Sequence, residues 1–268
     1  MKTAKRNQSV EKMLTIIETM AEARGPMRLQ EIAHAAELPA STALRFLVTL
    51  MGRDYAMQDR DSLRYSLTLR LCHVAELIKS QVTIREVARP YLVSLAQECG
   101  ESTCLAIEQD RTVVYVDAVE GPDSMLRTLQ RIGRRAPLHS TGVGKVLLAD
   151  WSRESVAGLA AESGLEPLTP HTLTSLETLQ SELARVRDQG FALDDEECEV
   201  GVRCVAVPVR DFTGHVVASV SVTGPATRMT DSKIEAIRPH LLASAAEVSR
   251  RLGAGQSPQA ALPADAAA

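Results

Sequence analysis

Apolar residues recur at helical spacing through the first eighty positions and at alternate positions through several later runs, so the change of period divides the chain. Val10, Met13, Leu14, Ile17 and Met20 predict an amphipathic first helix, stopped by Arg24-Gly25-Pro26. Leu29, Ile32, Ala33 and Ala36 predict a short second helix. After the break Glu37-Leu38-Pro39, the run STALRFLVTLM predicts a third. At about 100° per residue, Ala43, Leu44, Phe46, Leu47, Val48, Leu50 and Met51 fill one arc of that helix. Ser41, Thr42, Arg45 and Thr49 fill the other. YAMQ and RYSL flank the polar turn DRDS and predict a hairpin. Helical spacing resumes over Thr68–Ser80 and Val82–Cys99, as a connector between two parts.

Beyond the connector, CLAIEQ, TVVYVDAV, CVAVPV and HVVASVSV are β-branched and strand-like, interleaved with helical stretches near 142–150, 174–189 and 230–251. This order predicts an α+β domain on a largely antiparallel sheet. Alternation places Val205, Val207 and Val209 on one face, opposite Cys204 and Ala206. In the next run Val216, Ala218, Val220 and Val222 alternate with Val217, Ser219 and Ser221. A face of small residues either seats a helix closely or leaves room for a ligand, and pattern alone favours the first. The Ala/Pro-rich end GAGQSPQAALPADAAA predicts a disordered tail.

A length of 268 residues suits two domains, and the chain's formal charge of -4 is unevenly spread. Residues 1–78 carry 11 Lys and Arg against 9 Asp and Glu, and the remainder is acidic, so a polyanion would meet the first part. No apolar leader core or membrane-length run is present, which predicts a cytoplasmic protein with no membrane partner. Five cysteines without a CxxC pair predict reduced thiols rather than a disulfide frame or zinc site.

A short helix, a Leu-Pro turn and a helix opening on Ser-Thr form a helix-turn-helix arrangement, whose second helix enters the major groove of DNA. Arg45 can take guanine O6 and N7 bidentately, while Ser41 and Thr42 reach phosphates or base edges. Thr49 shares their face, Arg28 and Gln30 open the preceding helix, and Arg60 and Arg64 on the hairpin would touch flanking phosphates. Aromatic residues make up 3% of the chain, too few for a single-strand stacking platform, so double-stranded DNA is the expected partner.

STGVGKVLL opens a helix whose free N–H groups could hold an anion. It is not a phosphate-binding loop of the Walker type, since His139 precedes it and Val146 follows Lys145. Lys145 and Arg131, Arg134 and Arg135 could attract an acidic ligand or form a solvated patch. LDDEECEVGVRC gathers five carboxylates around two cysteines without a histidine, and the chain has neither HExxH nor G-x-S-x-G. No metal, cofactor or catalytic residue is expected. A small-molecule enzyme on residues 83–253 with an accessory N-terminal module stays as the alternative.

The stretches LQEIAHAAELPASTALRFLVTL, RYSLTLRL, RIGRRAPLHSTGVGKVLLA, GFALDDEECEVGVRCVAVPVRDFTGHVVASVSVTGP and DSKIEAIRPHLLASAAEVSRRL, in this order, resemble the IclR family of bacterial transcription regulators from about Val10 to Leu252. The resemblance implies a winged helix-turn-helix over 1–67, a linker helix over 68–82, a GAF/profilin-like effector-binding and oligomerisation domain over 83–253, and a tail over 254–268. It implies a dimer or tetramer on operator DNA, a repressor or an activator, responding to a small organic or sugar acid. By the same resemblance the effector pocket draws on Met125, Thr128, Ala136, Gly142, Val143, Asp194, Cys204, Ser219 and Ser221. Glu37 stands where the family often has Gly, and Ala40 where a basic residue is common.

Overall fold

The structure, a computed structural model, describes residues 7–23, 25–79, 83–122 and 132–255. The chain divides at Val82 into two compact units. In the first, α1 (Gln8–Glu22) is capped by the Asn7 side chain, which accepts the Ser9 N–H at 3.0 Å. α2 (Leu29–Ala35) and α3 (Ala40–Met51) follow, then a hairpin of β1 (Ala56–Gln58) and β2 (Tyr65–Leu67), then α4 (Arg70–Lys79). Ile16, Met20, Ile32, Ala33, Ala43, Phe46, Leu47, Leu50, Ala56 and Tyr65 pack into one small core. Val10 and Leu14 of α1, expected in that core, are exposed, and Ile16 takes the place. From Arg70 to Leu77, no residue of α4 is buried.

The second unit opens with α5 (Ile84–Cys99), whose Thr83 and Glu86 form a capping box. Its sheet is antiparallel and six-stranded, in the order β5 (Arg135–Ala136), β4 (Thr112–Val119), β3 (Ser102–Gln109), β8 (Val216–Pro225), β7 (Val202–Arg210) and β6 (Ala192–Asp195). On one face lie α5 and α9 (Asp231–Arg251), with Leu92, Leu95, Ile237 and Leu241 against Val205, Val207, Val209, Ala218, Val220 and Val222. On the other lie α6 (Gly142–Leu148), α7 (Arg153–Ser163) and α8 (Leu176–Gln189), over the small residues Cys104, Ala106, Cys204 and Ala206. This is the expected α+β arrangement.

Val216 departs from the expected alternation and packs on the small-residue face. The cause is a register shift beside Val209 and Arg210: Val209 pairs with Ala218 but Arg210 with Val216, so Val217 is extra and turns the strand's faces over. The helix α7 gave no clear periodic signal because Gly158 and several alanines leave only Val156 and Leu159 buried. The proposed tail lies, from residue 256 on, outside the described residues.

Candidate DNA-reading and effector sites

Helix α3 is held against α2 by a tight turn in which the Leu38 N–H reaches the Ala33 carbonyl at 2.8 Å. Glu37 makes that turn in the left-handed region, at φ 53°, which a residue with a Cβ adopts at a cost. Ala43, Phe46, Leu47 and Leu50 are the buried face of α3. Leu44 and Val48 are not: they are 39% and 55% exposed, because α2 and β1 cover only a narrow stripe of the helix. Ser41, Leu44, Arg45 and Val48, spaced i, i+3, i+4 and i+7, therefore form one outward ridge that mixes hydroxyl, guanidinium and branched aliphatic groups. Such a ridge can read base edges through Arg45 and thymine methyls through Leu44 and Val48. Thr42 is half-buried, and the Thr49 hydroxyl donates to the Arg45 carbonyl at 3.0 Å, so it is engaged within its own helix.

The hairpin residues divide. Arg60 is exposed at the tip. Arg64, expected on phosphate, donates from Nη1 to the Pro26 carbonyl at 2.9 Å and to Glu31 Oε2 at 3.2 Å. Glu31 Oε2 also accepts the Arg28 backbone N–H at 2.7 Å, so Arg64 braces the hairpin against the start of α2. Arg28 and Gln30 are exposed at that start.

In the second unit the two glycines of STGVGK have steric tasks. A Cβ on Gly144 would meet the Leu138 carbonyl oxygen at 2.3 Å, and the Gly144 N–H already donates to the capping Thr141 hydroxyl at 3.1 Å. A Cβ on Gly142 would lie 3.3 Å from Cys204 Sγ and 3.5 Å from the Asp194 nitrogen. Gly142, Asp194 and Cys204 are thus brought together, as β6 and β7 pair Asp194 with Cys204 across the turn at Gly201, φ 84°. Val143 is buried on the same helix.

Ser219 and Ser221 are fully buried on β8, with hydroxyls engaged by protein: Ser219 donates to the Val207 carbonyl at 3.1 Å, and Ser221 lies 3.0 Å from Cys104 Sγ. Ala136 lines a separate cleft of 310 Å³, with Arg111, Pro137, Leu138, His139 and Ser163 among its walls. Met125 and Thr128 lie outside the described residues, as does Arg131.

Lys145 is the main correction to the patch reading. It is 1% exposed, and its Nζ is bonded to Glu197 Oε1 and lies 3.5 Å from Glu182 Oε1. A cation so paired is a structural charge and offers little attraction to a ligand. Arg135, likewise, pairs with Asp110 at 2.8 Å. Burial raises the Glu197 carboxyl above the usual range against the pull of Lys145.

The carboxylates of LDDEECEVGVRC separate by position. Asp195 pairs with Arg203, and Glu196 accepts the Gly201 N–H at 2.6 Å. Asp194 is buried, and its Oδ1 accepts the N–H groups of Glu197 at 2.9 Å and Cys198 at 3.2 Å. Burial, outweighing those two bonds, pushes its carboxyl up to about 7. Burial also pushes Cys198 up to about 11 and Cys204 up to about 12, with the Asp194 charge adding to both, so both thiols stay protonated. Among the described residues no group of three or more His, Cys, Asp and Glu could hold a metal, and no helix is long and apolar enough to cross a membrane.

Comparison with known proteins accounts for both units. The IclR helix-turn-helix domain matches residues 9–60, and the bacterial transcriptional regulator IclR C-terminal domain matches residues 77–250. The HTH-type transcriptional regulator XynR of Escherichia coli is 35% identical over 92% of this chain and 97% of its own. The HTH-type transcriptional repressor AllR of Salmonella typhi is 31% identical over 92% and 90%. The crystal structure of the Thermotoga maritima IclR is 32% identical and aligns over 92% of this chain and 99% of that one, with a TM-score of 0.61. With the IclR helix-turn-helix domain matched in the first unit and the IclR C-terminal domain matched over the second, in order, the chain belongs to the IclR family of bacterial transcriptional regulators.

Proposed function

We propose that this regulator is a ligand-responsive repressor of a metabolic operon, a homodimer or homotetramer that reads operator DNA through α3 and binds a small organic or sugar acid in its second unit. The observation that carries the DNA-reading part is the outward ridge Ser41, Leu44, Arg45 and Val48, flanked by Thr42, Arg28, Gln30 and Arg60. Repression as the sign is favoured by the name of the AllR relatives. The effector site is centred on Gly142, Asp194 and Cys204, with Val143, Ser219, Ser221 and Ala136 as surrounding structure and Met125 and Thr128 as further walls. The effector acts by binding one arrangement of the protein more tightly than another.

The test is fluorescence anisotropy with duplexes from the protein's own promoter region. Arg45→Ala is expected to weaken specific binding by about 1–3 kcal/mol and to relax preference at one base pair. Wild-type affinity should fall steeply with salt, as phosphate contacts release counterions. Equal operator affinity for Arg45→Ala and wild type would remove α3 as the reading helix.

A further inference from the structure

The exposed apolar residues of α3 form a row of their own. Leu44 and Val48 lie one turn apart, and Val48 is the more exposed of the two. Ser41 and Arg45 make a second row at the same spacing, continued by Thr49, whose hydroxyl proton is already given to the Arg45 carbonyl. At about 100° per residue the two rows are roughly 60° apart around the axis, so they face outward together, opposite the buried Ala43, Phe46, Leu47 and Leu50. A single exposed Leu or Val is ordinary on a protein surface. This pair, however, borders Arg45, the one charged residue of α3, on a helix without Asp or Glu to repel phosphate. The major-groove edge of DNA carries one apolar group, the thymine C5 methyl, beside the donors and acceptors that an arginine can take. A polar row and an apolar row side by side match both kinds of group.

We propose that Val48, with Leu44 beside it, is a specificity-determining residue that reads thymine C5 methyl groups next to the guanine taken by Arg45. This rests on the reading of α3 as the DNA-reading helix. Along the axis Leu44 lies about 1.5 Å before Arg45 and Val48 about 4.5 Å beyond it. Base pairs stack about 3.4 Å apart, so both side chains fall within one or two steps of that guanine. Contact with the methyl takes apolar surface on both partners out of water and makes no hydrogen bond. It therefore separates thymine from uracil, which differs by that methyl alone. Val48, stiff at χ1, presents its two methyls at low entropic cost.

The experiment selects bound sequences from a random duplex library with the full chain. Each thymine of the enriched duplex is then replaced by uracil, and each guanine by 7-deazaguanine, one position at a time. Affinities are read by fluorescence anisotropy for wild type, Arg45→Ala, Leu44→Ala and Val48→Ala, all changed at exposed positions, and sedimentation velocity reports the oligomeric state. Loss of one buried methyl predicts a complex roughly 4-fold weaker for wild type at the uracil positions that matter. These should lie within one or two base pairs of the guanine whose N7 matters to wild type and not to Arg45→Ala. At such a position Val48→Ala should bind the thymine and uracil duplexes nearly equally. A flat uracil scan on a duplex that Arg45→Ala binds more weakly than wild type overturns this inference and leaves α3 standing as the reading helix. Uracil sensitivity unchanged in both Leu44→Ala and Val48→Ala also overturns it, and a shifted oligomeric state in those variants would then assign the row to contact between copies of the chain. A selection that enriches no sequence, or equal affinity for Arg45→Ala and wild type, overturns the α3 reading and this inference together.

Discussion

Asp194→Asn isolates the electrostatic cost of the effector cluster. The native carboxyl sits at about 7 against an ordinary value of 3.8, so the folded state retains a proton that the unfolded chain has released. Between those two values stability falls as pH rises, and above the folded value the full penalty remains. Its size is roughly 4 kcal/mol for a displacement of that extent. Asparagine keeps an oxygen for the Glu197 and Cys198 N–H groups and does not titrate, so whatever it changes in those bonds is independent of pH. The variant should therefore gain on wild type steadily from about pH 4 to about pH 7 and hold that lead above it, ending roughly 4 kcal/mol ahead of its low-pH difference. Urea unfolding of both proteins, at one-unit steps across that range, reads the difference directly. A constant gap, or one that closes with rising pH, would refute the burial argument for Asp194.

Three further outcomes follow from other contacts. Lys145→Met leaves Glu197 buried without its cation, while Glu182 keeps Arg185 at 2.6 Å, and should cost roughly 3–5 kcal/mol at neutral pH in urea unfolding, with most recovered by adding Glu197→Gln. Glu37→Gly relieves the positive φ but loosens the unfolded chain. The net gain should be under about 1 kcal/mol, seen as a small rise in melting temperature of the N-terminal unit with operator affinity intact. Arg64→Ala removes the brace to Pro26 and Glu31, so it should destabilise the hairpin while leaving the slope of operator affinity against salt unchanged. Arg60→Ala should reduce that slope by about 1.

Much of the architecture was legible because its signals are local. Helical spacing gave α1, α2 and α3, and period-two runs gave β3, β4, β7 and β8. The paired faces of Val205, Val207 and Val209 needed only strand geometry. The resemblance carried the family and the two-part plan. Within the candidate sites, Gly142, Asp194 and Cys204 were named in advance and meet in space.

The sequence by itself determined most of the helical and extended segments, α7, β5 and β6 apart, since these follow from the order of residues along one element. Tertiary structure decided the rest. Leu44 and Val48 look like core and are surface, because neighbouring elements cover only part of α3. Arg64 looks like a phosphate contact and is a brace, because Pro26 and Glu31 fold back within reach. Lys145 looks like a solvated charge and is buried, because β6, β7 and α8 bring Glu197 and Glu182 to it. Burial and partnership depend on groups tens of residues away, and those distances are set only when the chain is packed.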